Sequence, residues 1–144
     1  MSYLPNGVPL PQPTPDDREY WEFIRHRELR IQRCARCGRF RHPPMPCCPS
    51  CRSEGTEWAR VSGNGEGFSY TIVHYAPHPA LKSAVPFNVA VILLEDAGDV
   101  RIVSNVIDAA PEEMRIGLPV SLVWEPTEDG GWLPRFRKRE GGTA

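Results

Sequence analysis

Four cysteines are spaced to hold one metal ion: Cys34-Ala-Arg-Cys37, a ten-residue interval, then Cys48-Pro-Ser-Cys51. A C-x-x-C turn aims two sulfurs the same way, and two such turns can close a tetrahedral tetrathiolate cage of the kind that binds zinc. Gly38, directly after the first pair, suits the tight backbone of a zinc knuckle. Cys47 is the fifth cysteine. Pairing it with Cys51 breaks the C-x-x-C frame, so it reads as a spare or packed thiol. His42 lies between the pairs, but four thiolates already complete the sphere. A closed sphere leaves no place for a reactive water, so the metal is expected to hold shape and do no chemistry.

Other uses of these cysteines fit less well. Disulfides need an oxidising compartment, and the start MSYLPNGVPLPQPTP has no basic segment followed by an apolar core. A secretory leader is therefore not expected, and a cytoplasmic location is. A redox C-x-x-C normally stands alone within a βαβ pattern, which is missing. His26-Arg-Glu28 with Cys48-Pro-Ser-Cys51 imitates the zinc deaminase signature. Cys47, not proline, precedes Cys48, however, and Cys34 and Cys37 would go unused.

The elements that must position this cage follow from the rest of the chain. At 144 residues, it fits one ordinary domain plus a small module. Sixteen prolines and twelve glycines among short apolar runs favour strands and turns. No apolar run approaches the ~20 residues that span a membrane, so no membrane role is expected. A net charge of −1 argues against a molecule-wide trap for nucleic acid or anionic lipid. The charge is uneven, since Arg25, Arg27, Arg30, Arg33, Arg36, Arg39 and Arg41 crowd one stretch.

Residues 1–14 read as a Pro-rich extended arm. Thr14 as N-cap, Pro15 in the first turn and acids behind it predict a helix over 15–28. Its aromatics Tyr20, Trp21 and Phe23 cover more than one narrow face. They either pack on the β domain or form an interface with a partner. Residues 29–56 form the ribbon, with strands leading into Cys34 and away from Cys37. Residues 57–139 hold the barrel strands, and 140–144 a flexible tail. Gly63-Asn-Gly-Glu-Gly67 precedes a strand, not a helix, so it reads as turn and bulge instead of a phosphate loop. Phe87 to Glu95 is a buried strand, Pro111 to Met114 a short helical turn, and Val120 to Glu125 a further strand. Five main strands around a helical turn predict a mainly β molecule: N-terminal helix, rubredoxin-like zinc ribbon, and a five-stranded OB-fold barrel. A sandwich is the second choice. With the barrel core drawn from residues after Thr56, loss of metal is expected to unfold the ribbon alone.

The chain resembles the acyl-CoA-associated OB-fold family, once a domain of unknown function, that carries an N-terminal rubredoxin-like zinc ribbon. The resemblance rests on an ordered set: Tyr20-Trp-Glu22, Leu29 to Gly38, Cys48-Pro-Ser-Cys51, Gly67 to His74, Pro86 to Glu95, Ile116 to Val120 and Leu133-Pro-Arg-Phe136. It implies zinc on Cys34, Cys37, Cys48 and Cys51. It also implies a non-catalytic subunit in a hetero-oligomer with a thiolase-superfamily enzyme, or with a MaoC-like hydratase, in acyl-CoA metabolism. Some members resemble subunits of steroid side-chain aldolases, in which the partner carries the chemistry. No catalytic residue carries over. If the chain helps bind CoA, a cation could meet phosphate and an aromatic could stack on adenine. The candidates are Tyr75, His78 and Lys82 in one loop, and Arg135 with Phe136. The competing function is single-stranded nucleic-acid binding, which OB folds perform with aromatics in a basic groove. An autonomous metalloenzyme ranks last, because four thiolates leave no open position.

Overall fold

The computed structural model describes residues 3–140. The tail expected at 140–144 falls, from Gly141 onward, outside the described residues.

Helix α1 (Arg18–Arg25) buries Tyr20 and Ile24, four residues apart on one face. It is shorter at both ends than the 15–28 expected. Asp17, not Thr14, occupies the N-cap position, and its carboxylate turns backward to accept from the Thr14 amide (2.6 Å) and hydroxyl (2.9 Å). At the other end Arg27 adopts a left-handed φ of +57°. The Glu28 amide then donates to the Phe23 carbonyl and the Arg27 amide to that of Ile24, each at 2.9 Å. This paired closure ends the helix. Arg27 stands where glycine is usual, with its guanidinium 4.8 Å from the Trp132 ring centre.

The ribbon is an antiparallel sheet of β1 (Arg30–Cys34), β2 (Phe40–Arg41) and β3 (Thr56–Arg60), in the order β2-β1-β3. β3 pairs with β1 from Cys34↔Thr56 to Arg30↔Arg60. The ribbon sheet thus reaches past the expected boundary at 56 and takes a strand assigned from sequence to the barrel.

The barrel follows: β4 (Asn64–Val73), β5 (Phe87–Leu94), β6 (Arg101–Ser104), β7 (Pro119–Pro126) and β8 (Trp132–Lys138), in the order β6-β5-β4-β7-β8. The sheet curls until its two ends meet. Val106 bridges Phe136 in parallel, Ile107 N donates to Phe136 O at 2.8 Å, and Phe136 N to Asn105 O at 3.0 Å. This partly open five-stranded closure is that of an OB fold. The expected short helical turn lies at Pro111–Glu113, between β6 and β7.

The glycine cluster supplies both the turn and the bulge expected of it. Only Gly63 turns the chain, at φ +83°. Gly65 and Gly67 lie inside β4, which pairs with β5 and β7 at once and carries a bulge between Gly67 and Ser69. A Cβ on Gly65 would stand 2.5 Å from the Leu93 carbonyl oxygen. Glycine is needed there because the coiled strands approach so closely.

One core runs through the molecule. Tyr20, Ile24, Leu29 and Ile31 from helix and ribbon join Ile92, Leu94, Val106, Val120 and Phe136 of the barrel in a single buried cluster. The expectation of a barrel core confined to residues after Thr56 is therefore corrected. The arm is laid along the barrel: Tyr3 N donates to Glu125 Oε2 (3.0 Å), and the Tyr3 hydroxyl accepts from Asn88 Nδ2 (3.1 Å).

Candidate functional site

Cys34 ends β1, and Cys37 follows across the knuckle, where Gly38 takes φ +77° and its amide donates to the Cys34 carbonyl at 2.9 Å. A second knuckle repeats the geometry, with the Arg52 amide donating to the Cys48 carbonyl at 2.9 Å. The two turns bring the four sulfurs of Cys34, Cys37, Cys48 and Cys51 within 4.8 Å of one another. Cys34 Sγ lies 3.5 Å from Cys51 Sγ, and Cys37 Sγ 3.6 Å from Cys48 Sγ. A tetrahedral zinc with ~2.3 Å bonds to sulfur needs sulfurs about 3.8 Å apart. The donor set and its spacing therefore fit zinc, held by these four residues, which the ion would cross-link into one rigid ribbon. Cys47 is exposed and outside the group.

The backbone prepares the sulfurs to be thiolates. The amides of Cys37 and Arg36 both point at Cys34 Sγ, each at 3.4 Å. The Cys37 amide above all, against the cost of burial, holds the Cys34 thiol down at about 6 from an ordinary 9.0. The Cys51 amide lowers Cys48 in the same way. For Cys37, the Arg39 amide pulls downward, but the Cys48 contact, burial and the other two thiols outweigh it and push it up to about 11. Without a cation, a further negative charge in this group is costly.

A pH experiment follows from these directions. The ionisation of Cys34 favours the metal-free fold fully above 9, and progressively less as pH falls towards 6. That of Cys37 works against the fold as pH rises from 9 to about 11. Thiolate absorbance of the metal-free protein should begin rising near pH 6 and finish only towards 11. Zinc loading should remove both ends of the titration, because all four ligands are then deprotonated. A single unbroken step near the ordinary thiol value would contradict this.

The remaining candidates separate. Tyr75, 85% exposed, stands on the loop between β4 and β5. On that loop His78 Nδ1 accepts from the Ala80 amide (3.1 Å), capping a short turn at Pro79–Leu81, and exposed Lys82 closes it. These three residues share one loop. Arg135 and Phe136 do not join them. Phe136 is 0% exposed within the barrel core, so it offers no face to an adenine. Arg135 is held by Glu125 Oε2 (3.4 Å) and Asn105 Oδ1 (2.7 Å), so it is not a free cation for phosphate.

The helix aromatics are mostly occupied within the chain. Tyr20 is buried edge-on to Trp21, ring centres 5.1 Å apart, and equally close to His42. Phe23 lies 5.5 Å from Trp58 and under Arg30. Tyr20 therefore takes the packing role, being buried, whereas Phe23 packs on Trp58 but stays half-buried. Half-buried Trp21 lines an apolar cleft of about 530 Å³ together with Leu4, Val8, Val103 and Leu133. No sequence signal marked this cleft, because arm, helix and both barrel ends build it jointly.

A tetrathiolate ribbon joined through one core to a five-stranded OB barrel defines a zinc-ribbon and OB-fold protein. The chain belongs to the DUF35 family. Residues 21–57 match the family model described as the ChsH2 rubredoxin-like zinc ribbon domain, and residues 58–125 that of the ChsH2 C-terminal OB-fold domain. It is 39% identical over 129 residues to a probable enoyl-CoA hydratase alpha subunit of Thermomonospora curvata, covering 90% of this chain and 39% of that protein. A DUF35 domain-containing scaffold protein of Methanocaldococcus jannaschii is 34% identical, covering 77% of this chain and 78% of the relative. The 3-oxo-4,17-pregnadiene-20-carboxyl-CoA hydratase alpha subunit of Mycobacterium tuberculosis is 33% identical, over 86% of this chain and 42% of its own length. The chain thus spans about two fifths of the two hydratase-named relatives. Among solved structures, the Ltp2-ChsH2(DUF35) aldolase matches with a TM-score of 0.81 and 38% identity, over 90% of this chain and 98% of the matched one.

Proposed function

We propose that this chain is a non-catalytic, zinc-stapled subunit of an acyl-CoA-processing complex, whose partner is a thiolase-superfamily enzyme of the aldolase type. The observation that carries this reading is the end-to-end likeness to the DUF35 chain of an aldolase that also contains Ltp2. The hydratase-named relatives extend well beyond the matched segment, which makes a MaoC-like hydratase the second partner class. The thiolate cage suits this role, since it offers rigidity without an open metal position.

Tyr75 is the contact we assign to the partner side of the loop. A tyrosine this exposed gains most by entering a pocket on another protein, and His78 and Lys82 beside it can meet the anionic end of a CoA thioester. Retrieval of the tagged chain from its native cells should bring down a thiolase- or hydratase-superfamily enzyme in fixed ratio. Recovery as a lone chain at every salt concentration would sink the proposal. Tyr75→Ala should weaken that complex at least tenfold, by about 1.4 kcal/mol or more, and leave the melting midpoint of the isolated chain within about 1 °C.

The nucleic-acid reading loses its support residue by residue. Arg33 is paired with Glu57 at 2.9 Å and Arg30 with Glu28 at 2.9 Å. Arg27 covers Trp132, Arg39 bonds Ser50, and Arg41 is buried. Five of the seven arginines in the run are thus engaged in separate local contacts, which leaves Arg25 and Arg36 exposed.

A further inference from the structure

Among the described residues, two charged side chains are buried, Glu125 and Arg41. Glu125 has Arg135 beside it at 3.4 Å. Arg41, only 4% exposed, has neutral acceptors alone. Its Nε donates to Gln32 Oε1 (2.7 Å), and its Nη2 to Thr56 Oγ1 (3.0 Å) and the Met45 carbonyl (3.4 Å). Its Nη1 is buried with no acceptor. No carboxylate of the described residues is within ion-pair distance of it; Asp99 only borders, with Arg41, a cavity of about 270 Å³. A buried guanidinium without an ion-pair partner is unfavourable, and a closer counter-charge would offset it.

The ribbon register identifies what. Arg41 sits directly across from Gln32 on β1, and Thr56 directly across from Cys34. Gln32 and Cys34 are two apart on one strand, so their side chains leave the same face. Arg41, the Gln32 and Thr56 it bonds, and the Cys34 thiolate therefore share that face. Four thiolates around a divalent ion would make a dianion, a counter-charge on the same face of the ribbon as Arg41. The other nearby arginines are ill-suited to the task. Arg36 and Arg39 are exposed and screened by water, and Arg33 is taken by Glu57 on the opposite face. Gln32 Oε1 also accepts from the Met45 amide at 2.9 Å, which ties this cation to the segment leading into Cys48.

We propose that Arg41 is the buried counter-cation of the zinc–tetrathiolate, a positioning residue that raises metal affinity through its charge. The test is competition of the zinc-loaded full chain against a graded series of chelators. Arg41→Met should lose about 10–100-fold in zinc affinity, the usual cost of removing a group that supports metal ligands. Arg41→Lys, which keeps the charge but loses the fork of donors, should stay within about threefold of the parent. If Arg41→Met binds zinc as tightly as the parent, the proposal fails. It fails equally if Arg41→Lys and Arg41→Met lose the same amount, because the guanidinium is then a strut between Gln32 and Thr56. Repeating the pair with Cys51→His, which makes the cage a monoanion, reads charge directly. The penalty for Arg41→Met should shrink several-fold there, whereas a strut would cost the same in both backgrounds.

Discussion

Cys48→Ser should abolish stoichiometric zinc and lower the melting midpoint of the entire chain by about 10–20 °C. Cys48 and Cys34 are fully buried, and with Cys37 and Cys51 they are the covalent anchors of two otherwise short knuckles. Structural zinc supplies roughly 10–16 kcal/mol of apparent binding energy at neutral pH, and three thiolates with a hydroxyl recover only part of it. The loss cannot stay local. Ile31 lies three residues before Cys34 and is wholly buried in the cluster that continues through Ile24 into Ile92 and Val106. Loosening that one ribbon strand withdraws core contacts worth about 3–5 kcal/mol, and each kcal/mol moves the midpoint of a chain this size by about 4 °C. Metal analysis with calorimetry checks both parts. One zinc per chain in the variant would refute the ligand assignment. An unshifted barrel transition beside a lost ribbon transition would refute the shared core. Cys47→Ser, at an exposed thiol outside the cage, should change neither.

What the sequence could and could not reveal follows a physical pattern. The cage was legible because coordination chemistry demands particular atoms at particular spacings, and the deaminase-like alternative of His26 with Cys48 and Cys51 leaves Cys34 and Cys37 unused. The strand Phe87–Leu94 was legible because its apolar run and its length agree. Arg135 and Phe136 were misread as one site, although adjacent residues on a strand face opposite sides. One therefore had to point inward, and it is Phe136. The turn and bulge of the glycine cluster were legible, but the need for glycine at 65 was not, because a close approach between strands leaves no mark on the residues that are approached. Thr56–Arg60 carries no sign of which sheet it joins, since pairing is decided by the partner strand. Arg41 was hidden among six neighbouring arginines that differ from it only in burial. In each failure the deciding contact lies far away in sequence.

Asn88 is the strongest case of such a contact, and Asn88→Ala should destabilise the chain by about 3–5 kcal/mol. The residue sits in an apolar strand, 2% exposed, and it makes the bonds that the barrel seam lacks. Its Oδ1 accepts from the Val106 amide (2.8 Å) and its Nδ2 donates to the Val106 carbonyl (2.9 Å), so one side chain satisfies both polar groups of a fully buried residue. Asn105 Nδ2 donates in turn to the Asn88 carbonyl, and Arg135 Nη1 donates to Asn105 Oδ1 at 2.7 Å. The chain of bonds reaches Glu125 and the arm through Tyr3. Alanine orphans the buried Val106 amide and leaves the Val106 carbonyl only a long 3.5 Å bond from the Ala109 amide, losses of about 1–3 kcal/mol each, and it leaves a void. Asn88→Asp should be worse, because it removes the donor to the Val106 carbonyl and adds an unpaired charge. Tyr3→Phe removes only the outer hydroxyl and should cost about 1 kcal/mol. Chemical denaturation measures all three, and an Asn88→Ala loss below about 1 kcal/mol would rule out this account of the seam. Hydrogen exchange supplies an independent reading. The Ile107 amide, bonded to Phe136 across the seam, should lose its protection in Asn88→Ala before the amides between β4 and β5 do, since Asn88 holds the adjoining Val106 in place through both of its backbone groups.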